Sequence, residues 1–294
     1  MTVKLLKPIY IEATTLPDAW FQAIYQCIHH GRDFVIDRGS YAGDKRLEFD
    51  YFTAHISQPW IGSEENVNLL LPKLAEGCNI PNPVDDDYLD NYVSIYLMSG
   101  ELKNEESYTY GQRMTRYKIP EEWVYGWNKN NGAKPWPEIL IQDEEFWKDP
   151  NIIERDLENG HYYLNQIELL KKTYATKGYR NNQMVLQVAH PSDMLLQDPP
   201  CLRLIDTRIQ EECDGKTYLH FFPEFRSWDL WGGFPANLGG LELMKQLIAA
   251  EIGVNNGSMI VRSKGLHIYK YVWELAESIA HKSIDEAREC ILQV

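Results

Sequence analysis

Apolar residues recur every three to four positions between residues 15 and 30, at Trp20, Ile24, Tyr25 and Ile28. This spacing predicts a helix with capping residues Thr15 and Asp18 and a stop at Gly31. The period then shortens to two, and Phe34, Ile36, Leu47 and Phe49 predict a pair of strands around the loop Arg38-Gly39-Ser40-Tyr41-Ala42-Gly43. Residues 69–87, with Pro72, Pro81 and Pro83, read as connection into a helix over about 88–98. Asp85, Asp86 and Asp87 at its start read as caps and dipole partners rather than metal ligands. Residues 108–114 (YTYGQRM) are aromatic and then glycine. Residues 121–151 are rich in Trp and Pro with few periods, which fits an insertion or lid, or a set of core anchors.

Apolar positions at Leu157, Leu164, Ile167 and Leu170 predict a helix over 153–173. Short apolar runs at 184–189, 202–209 and 218–225 read as strands. The clearest helical period is at 238–252, with Leu238, Leu241, Met244, Ile248 and Ile252 apolar between Pro235 and Gly253. Residues 258–271 are strand-like, and 272–294 read as helix. There is no internal repeat and no low-complexity linker. The expectation is an α+β fold, a mixed sheet packed with helices in one domain spanning 1–294.

Composition narrows the partners. Lys plus Arg number 29 against 43 Asp plus Glu, a net charge of −14, which argues against non-specific binding to nucleic acid or an anionic membrane. An anionic ligand therefore has to be held by a local cluster of Arg. The five cysteines (Cys27, Cys78, Cys201, Cys213, Cys290) have no regular spacing, and the N-terminus lacks the apolar run of a signal peptide. A reduced cytoplasmic protein without a membrane span is expected. No CxxC, HExxH or paired-His spacing marks a metal site.

Candidate chemistry gathers between residues 198 and 269. Cys201 follows two prolines, and Arg203, Arg208 and Arg226 are the cations available to depress its pKa; a buried, inert thiol is the plainer reading. Cys213 lies among acidic residues, which would raise its pKa. Arg226-Ser227 sets a guanidinium fork beside a hydroxyl, a pairing suited to a phosphate monoester. Asn237 carries an acceptor and two donors that match the O4 and N3–H edge of uracil, or else it caps the helix that follows. His267 and Tyr269 share one face of an extended segment. The Arg38–Gly43 loop suits an anion or is a β-turn with a solvated Arg.

In order and spacing these motifs resemble the thymidylate synthase family. Pro200-Cys201 matches its nucleophile motif. Arg226, Ser227, Asp229 and Asn237 match its Arg-Ser-x-Asp and the Asn eleven residues after the Arg, and Gly233, Pro235 and Asn237 its Gly-x-Pro-x-Asn turn. His267 and Tyr269 match its His-x-Tyr. The resemblance covers about residues 160–270, with Gln166-Ile167 and Pro191-Ser192-Asp193 included. It is looser in the N-terminal half, where Arg38-Gly39-Ser40 is similar to its phosphate-clasping loop and Tyr110-Gly111 to its Tyr-Gly turn.

The departures resemble the divergent, archaeal-type branch and the related pyrimidine-nucleotide hydroxymethylases. Phe225 stands where a Gln usually precedes the Arg, and Leu202 where a His usually follows the Cys. The Cys-to-Arg gap is longer than usual. A pair of arginines that reaches the partner subunit's phosphate site is represented by Arg180 alone, and the family's catalytic Glu has only Glu48 and Asp90 as candidates.

The resemblance implies methylation of dUMP at C5 with 5,10-methylenetetrahydrofolate, by a homodimer whose sheet face forms the interface. Cys201 would add to C6, and Arg226 would hold the phosphate with Arg38, Ser40, Ser227 and the partner's contribution of Arg180. Asn237 would read the base, His267 and Tyr269 the deoxyribose hydroxyl, and Asp229 would polarise base or pterin. Water capture in place of hydride would make it a dUMP or dCMP (or CMP) hydroxymethylase. Two readings from other classes are a cysteine hydrolase pairing Cys201 with His220 or His267, and a nucleotide-binding regulator without catalysis.

Overall fold

The computed structural model describes residues 5–37, 41–64, 67–74, 80–85, 87–102, 106–120 and 144–280. Arg38 and Ser40, most of the Trp-rich stretch 121–151, Cys78, Cys290 and the helix expected beyond 280 lie outside them. The centre is a six-stranded mixed sheet in the order β1 (Pro8–Ala13), β4 (Tyr51–Ile56), β12 (Asn255–Ser263), β10 (Thr217–Phe225), β9 (Leu202–Glu211), β8 (Val185–Gln187). The pairs β1/β4 and β10/β12 run parallel and the others antiparallel. A second sheet orders β11 (Trp228–Asp229), β13 (Leu266–Tyr269), β3 (Lys45–Glu48) and β2 (Arg32–Val35), and a third joins β5 (Tyr117–Lys118), β7 (Tyr162–Leu164) and β6 (Ile153–Arg155). The α+β expectation holds.

Alternation decides which face of the large sheet is core. Leu219, Phe221 and Phe225 of β10 and Met259 and Val261 of β12 are at most 1% exposed, whereas Tyr218, Phe222, Glu224, Ile260 and Arg262 on the other face stay partly exposed. The buried face meets α1 (Leu16–His30), α5 (Gln166–Lys177) and α6 (Gly233–Ile252); α2 (Tyr88–Asn91), α3 (Tyr110–Thr115), α4 (Glu144–Trp147) and α7 (Trp273–Ala280) complete the helices among the described residues. In α1 the Thr15 hydroxyl accepts from Asp18 N at 3.2 Å, and the helix ends at Gly31, where a Cβ would meet Cys27 O at 2.5 Å.

Three expectations about elements change. Residues 153–173 are two strands and then α5. Asp156 Oδ1 accepts from Glu158 N and Asn159 N, and Gly160 has φ +72°, so turn chemistry overrides the apolar spacing; Leu157 is 86% exposed. The helix begins only after Asn165, whose Oδ1 caps Ile167 N and Glu168 N. Residues 92–97 continue α2 as a π-helix, with Met98 N bonded to Val93 O. Finally, α6 starts at Gly233, five residues before the apolar period becomes visible. Asn237 is therefore inside the helix and does not cap it.

Candidate active site

Cys201 sits at the mouth of β9, and Arg226 at the end of its antiparallel partner β10. Arg226 N donates to Cys201 O at 2.8 Å, so the two residues occupy the same rung. The rung is reached through a bulge: Phe225 faces Leu202 and Glu224 faces Leu204, which leaves Arg203 as the extra residue. The bulge also explains why Leu202 and Ile205, three apart, both face the core.

The Arg226 side chain folds back onto the prolines. Its Nε donates to Pro199 O (3.1 Å) and Pro200 O (3.2 Å), and its Nη2 meets Asp198 Oδ1 at 3.0 Å. Burial pushes the Cys201 thiol above its ordinary pKa; Arg226 and Arg203 pull it down and Asp198 pushes it up, and the net direction is upward. Arg226 and Arg203 thus act on the thiol in the expected direction, but burial outweighs them. Arg208, the third candidate cation, lies seven residues along β9, roughly 20 Å away at about 3.3 Å per residue.

A shell of tyrosines surrounds the thiol. Burial raises the hydroxyl pKa of Tyr96, Tyr108, Tyr110 and Tyr269, and the Cys201 charge raises each further. Tyr110 Oη accepts from Leu202 N at 3.3 Å, and Tyr108 Oη donates to Asp198 O at 3.4 Å. Tyr96 stacks on Tyr92 at 5.5 Å, and Tyr92 accepts from Asn237 Nδ2 at 2.7 Å. Asn237 Oδ1 accepts from Trp228 Nε1 at 2.9 Å. Within the buried run 234–242, Asn237 is the one residue that remains partly exposed.

Asp229 closes the start of α6. Its Oδ2 accepts from Gly232 N (3.0 Å) and Gly233 N (2.9 Å), and its Oδ1 from Trp231 N (3.3 Å). Burial raises its pKa against these amide bonds. Ser227 is partly buried on the bend between β10 and β11.

His267 and Tyr269 meet edge to face at 4.6 Å. His267 Nδ1 donates to Gly265 O at 2.8 Å, leaving a lone pair on Nε2 that is buried without a partner, and burial pulls its pKa down to about 4. His220 is across from Arg208, far down the hairpin, where Ser258 N donates to its Nδ1. Neither imidazole is placed to hold Cys201 as an ion pair. Of the candidates for the acid, Glu48 faces His267 across the strands in an ion pair with Arg46, and Asp90 is exposed on α2. Arg180 is not brought to Cys201 within this chain; it lines a groove of about 680 Å³ with Arg208 and Asn182.

Sequence reasoning missed Tyr92 and Trp228, and it gave Asp198 and Asp193 no role of their own. Asp193 is 1% exposed, accepts from Arg113 Nη2 at 2.9 Å and His190 N at 2.7 Å, and so pins the turn that leads to Cys201. Gln166 donates to Arg113 O (2.8 Å) and Gln187 O (2.9 Å), which ties α5 to the same region. The four-residue spacing of Tyr88, Tyr92 and Tyr96 was a readable signal of one aromatic face.

The thymidylate synthase family pattern matches residues 158–292. Relatives named "Putative thymidylate synthase" include proteins from Methanosarcina barkeri, 24% identical over 271 residues (92% of this chain, 93% of the relative), and Methanosarcina acetivorans, 25% identical over 272 residues (92% and 93%). A third, from Methanothermobacter thermautotrophicus, is 32% identical over 89 residues, 30% of this chain and 38% of the relative. The matched segment, a little under half of the chain, holds Cys201, Arg226, Asn237 and His267, and the likeness at about a quarter identity runs nearly end to end: the chain is similar to the thymidylate synthase family, as a divergent relative of it.

Proposed function

We propose that this protein transfers a one-carbon unit from 5,10-methylenetetrahydrofolate to C5 of dUMP, giving dTMP through a covalent Cys201 adduct at C6. The observation that carries this reading is the shared rung of Cys201 and Arg226 beside an Asn237 amide whose two ends are already fixed. Cys201 Sγ, as thiolate, forms the bond to C6, and the C5=C6 electron pair moves towards O4. The free N–H of Asn237 stabilises charge there. Once C5 has gained its carbon it loses its proton, and the S–C6 bond breaks to release the thiolate.

Arg226 binds the 5′-phosphate by exchanging its Asp198 and proline-carbonyl partners for phosphate oxygens. Ser227, Arg38 and Ser40 add to that clasp, and His267 and Tyr269 hold the deoxyribose hydroxyl. The residues also fit a reduced folate. Three of about four acceptor sites on Asp229 are taken by amides, which leaves one for a ring N–H, and Tyr108 offers a partly exposed aromatic face beside the thiol. The folate supplies the carbon and, for a methyl product, the hydride.

Arg180 can serve the phosphate only from a second copy, because its groove is remote from Cys201 in the same chain. The partly exposed sheet face carrying Phe222, Ile260 and Arg262 is the surface for such a homodimer, and an active monomer by sedimentation would remove this part.

The test is incubation with dUMP and 5,10-methylenetetrahydrofolate and identification of the nucleotide by mass. A gain of one methyl is expected, and none with Cys201→Ser. A hydroxymethyl product would select the alternative transfer, and an unchanged nucleotide would reject both.

A further inference from the structure

We infer that Trp228 sets the base preference of this site by fixing the direction in which Asn237 presents its amide. This rests on the pyrimidine reading above and adds a residue that acts through Asn237. The indole Nε1 has a hydrogen and no lone pair, so it can face only the Asn237 carbonyl, and it does so at 2.9 Å. At the other end Nδ2 donates to Tyr92 Oη at 2.7 Å. A hydroxyl both donates and accepts, so Tyr92 tolerates either orientation of the amide. Trp228 tolerates one.

Turning the amide over would set N–H against N–H and strand a donor on a ring that is 2% exposed. The indole cannot swing aside to avoid this. It lies parallel to Phe225 at 3.8 Å and 6°, with Phe234 at 4.6 Å on its other contact. What remains free on the partly exposed Asn237 is one lone pair on Oδ1 and one N–H on Nδ2. That order complements the N3–H and O4 of uracil. Cytosine offers N3 as acceptor and its amino group as donor, the inverse order, which the locked amide cannot match.

The experiment measures binding of dUMP and dCMP by calorimetry, so it needs neither folate nor turnover. The wild type is expected to bind dUMP at least about tenfold more tightly than dCMP, the scale of one mispaired buried group. Trp228→Phe keeps the ring stack and deletes the donor; it should narrow that ratio at least about fivefold, chiefly by improving dCMP. Tyr92→Phe should leave the ratio within about twofold, because the donor-only indole still fixes Oδ1. In an Asn237→Asp background, where both oxygens accept, Trp228→Phe should no longer change the ratio. A wild-type preference for dUMP that survives Trp228→Phe overturns the inference. So does a Tyr92→Phe variant that relaxes the ratio, and this arm decides the matter if Trp228→Phe does not fold. Equal binding of the two nucleotides by the wild type also overturns the inference, whereas binding of neither removes the pyrimidine reading itself.

Discussion

Arg226 stands beside Cys201 and yet the thiol's pKa is raised, because burial outweighs a guanidinium that is already shared with Asp198 and two carbonyls. Asp198, 72% exposed on its side chain, acts twice against the thiolate: its charge repels it, and its bond to Nη2 neutralises the nearest cation. Asp198→Asn should therefore lower the Cys201 pKa and speed its alkylation by iodoacetamide at pH 8 by about twofold or more, less at high salt. Peptide-resolved mass spectrometry separates this cysteine from exposed Cys213, and an unchanged rate would show that Asp198 has no hold on the thiol. Candidate site residues could be named from the sequence where a side chain's own chemistry announces a task, as at Cys201, Arg226 and Asn237. The contributions of Trp228 and Asp193 were not readable, because they lie in partners 9 and 80 positions away.

The crossing of α6 over residues 88–97 is set by two missing side chains. A Cβ on Gly240 would meet Tyr92 Cδ1 at 2.5 Å and Leu97 Cδ1 at 2.9 Å, and one on Gly239 would meet Leu89 Cδ2 at 2.9 Å. The approach they permit is what brings Tyr92 Oη to Asn237. Helix propensity alone predicts that Gly240→Ala stabilises by about 1 kcal/mol. We expect a net loss of about 1–3 kcal/mol, since the ring must move against a packed core. A lowered denaturant midpoint checks the sign, and a raised one would show that Tyr92 gives way freely. Helix α1 was legible from its single period, and strands β8, β9 and β10 from their short apolar runs. Residues 153–173 were not, because Asp156, Asn159 and Gly160 form a turn whose bonds leave no trace in an apolar count.

Across the molecule, two buried imidazoles make the fold acid-sensitive. Burial lowers the pKa of His267 and of His220 to about 4. The unfolded chain, with His near 6.5, binds these protons first, so stability is full above about pH 6.5 and falls as the pH drops towards 4. Between pH 7 and 5 each site loses about 2 kcal/mol. Glu212, 3.5 Å from His220 Nε2, offsets part of one loss, and the raised pKa values of Asp229 and Glu48 act in the opposite direction. The melting temperature should drop by several degrees from pH 7 to 5, and His267→Gln should drop less; an equal drop would clear His267 of the effect.

The α+β layering followed from the sequence. The mixed strand order did not, since parallel pairs such as β1/β4 join segments with no local signature. One consequence belongs to the hairpin of β9 and β10. Because Cys201 and Arg226 close the same rung, their separation is fixed across the strands and does not depend on how many residues lie between them along the chain. The tip at Asp214-Gly215, where Gly215 has φ +75°, can thus be lengthened, or opened to make new chain ends, without moving Cys201 from Arg226.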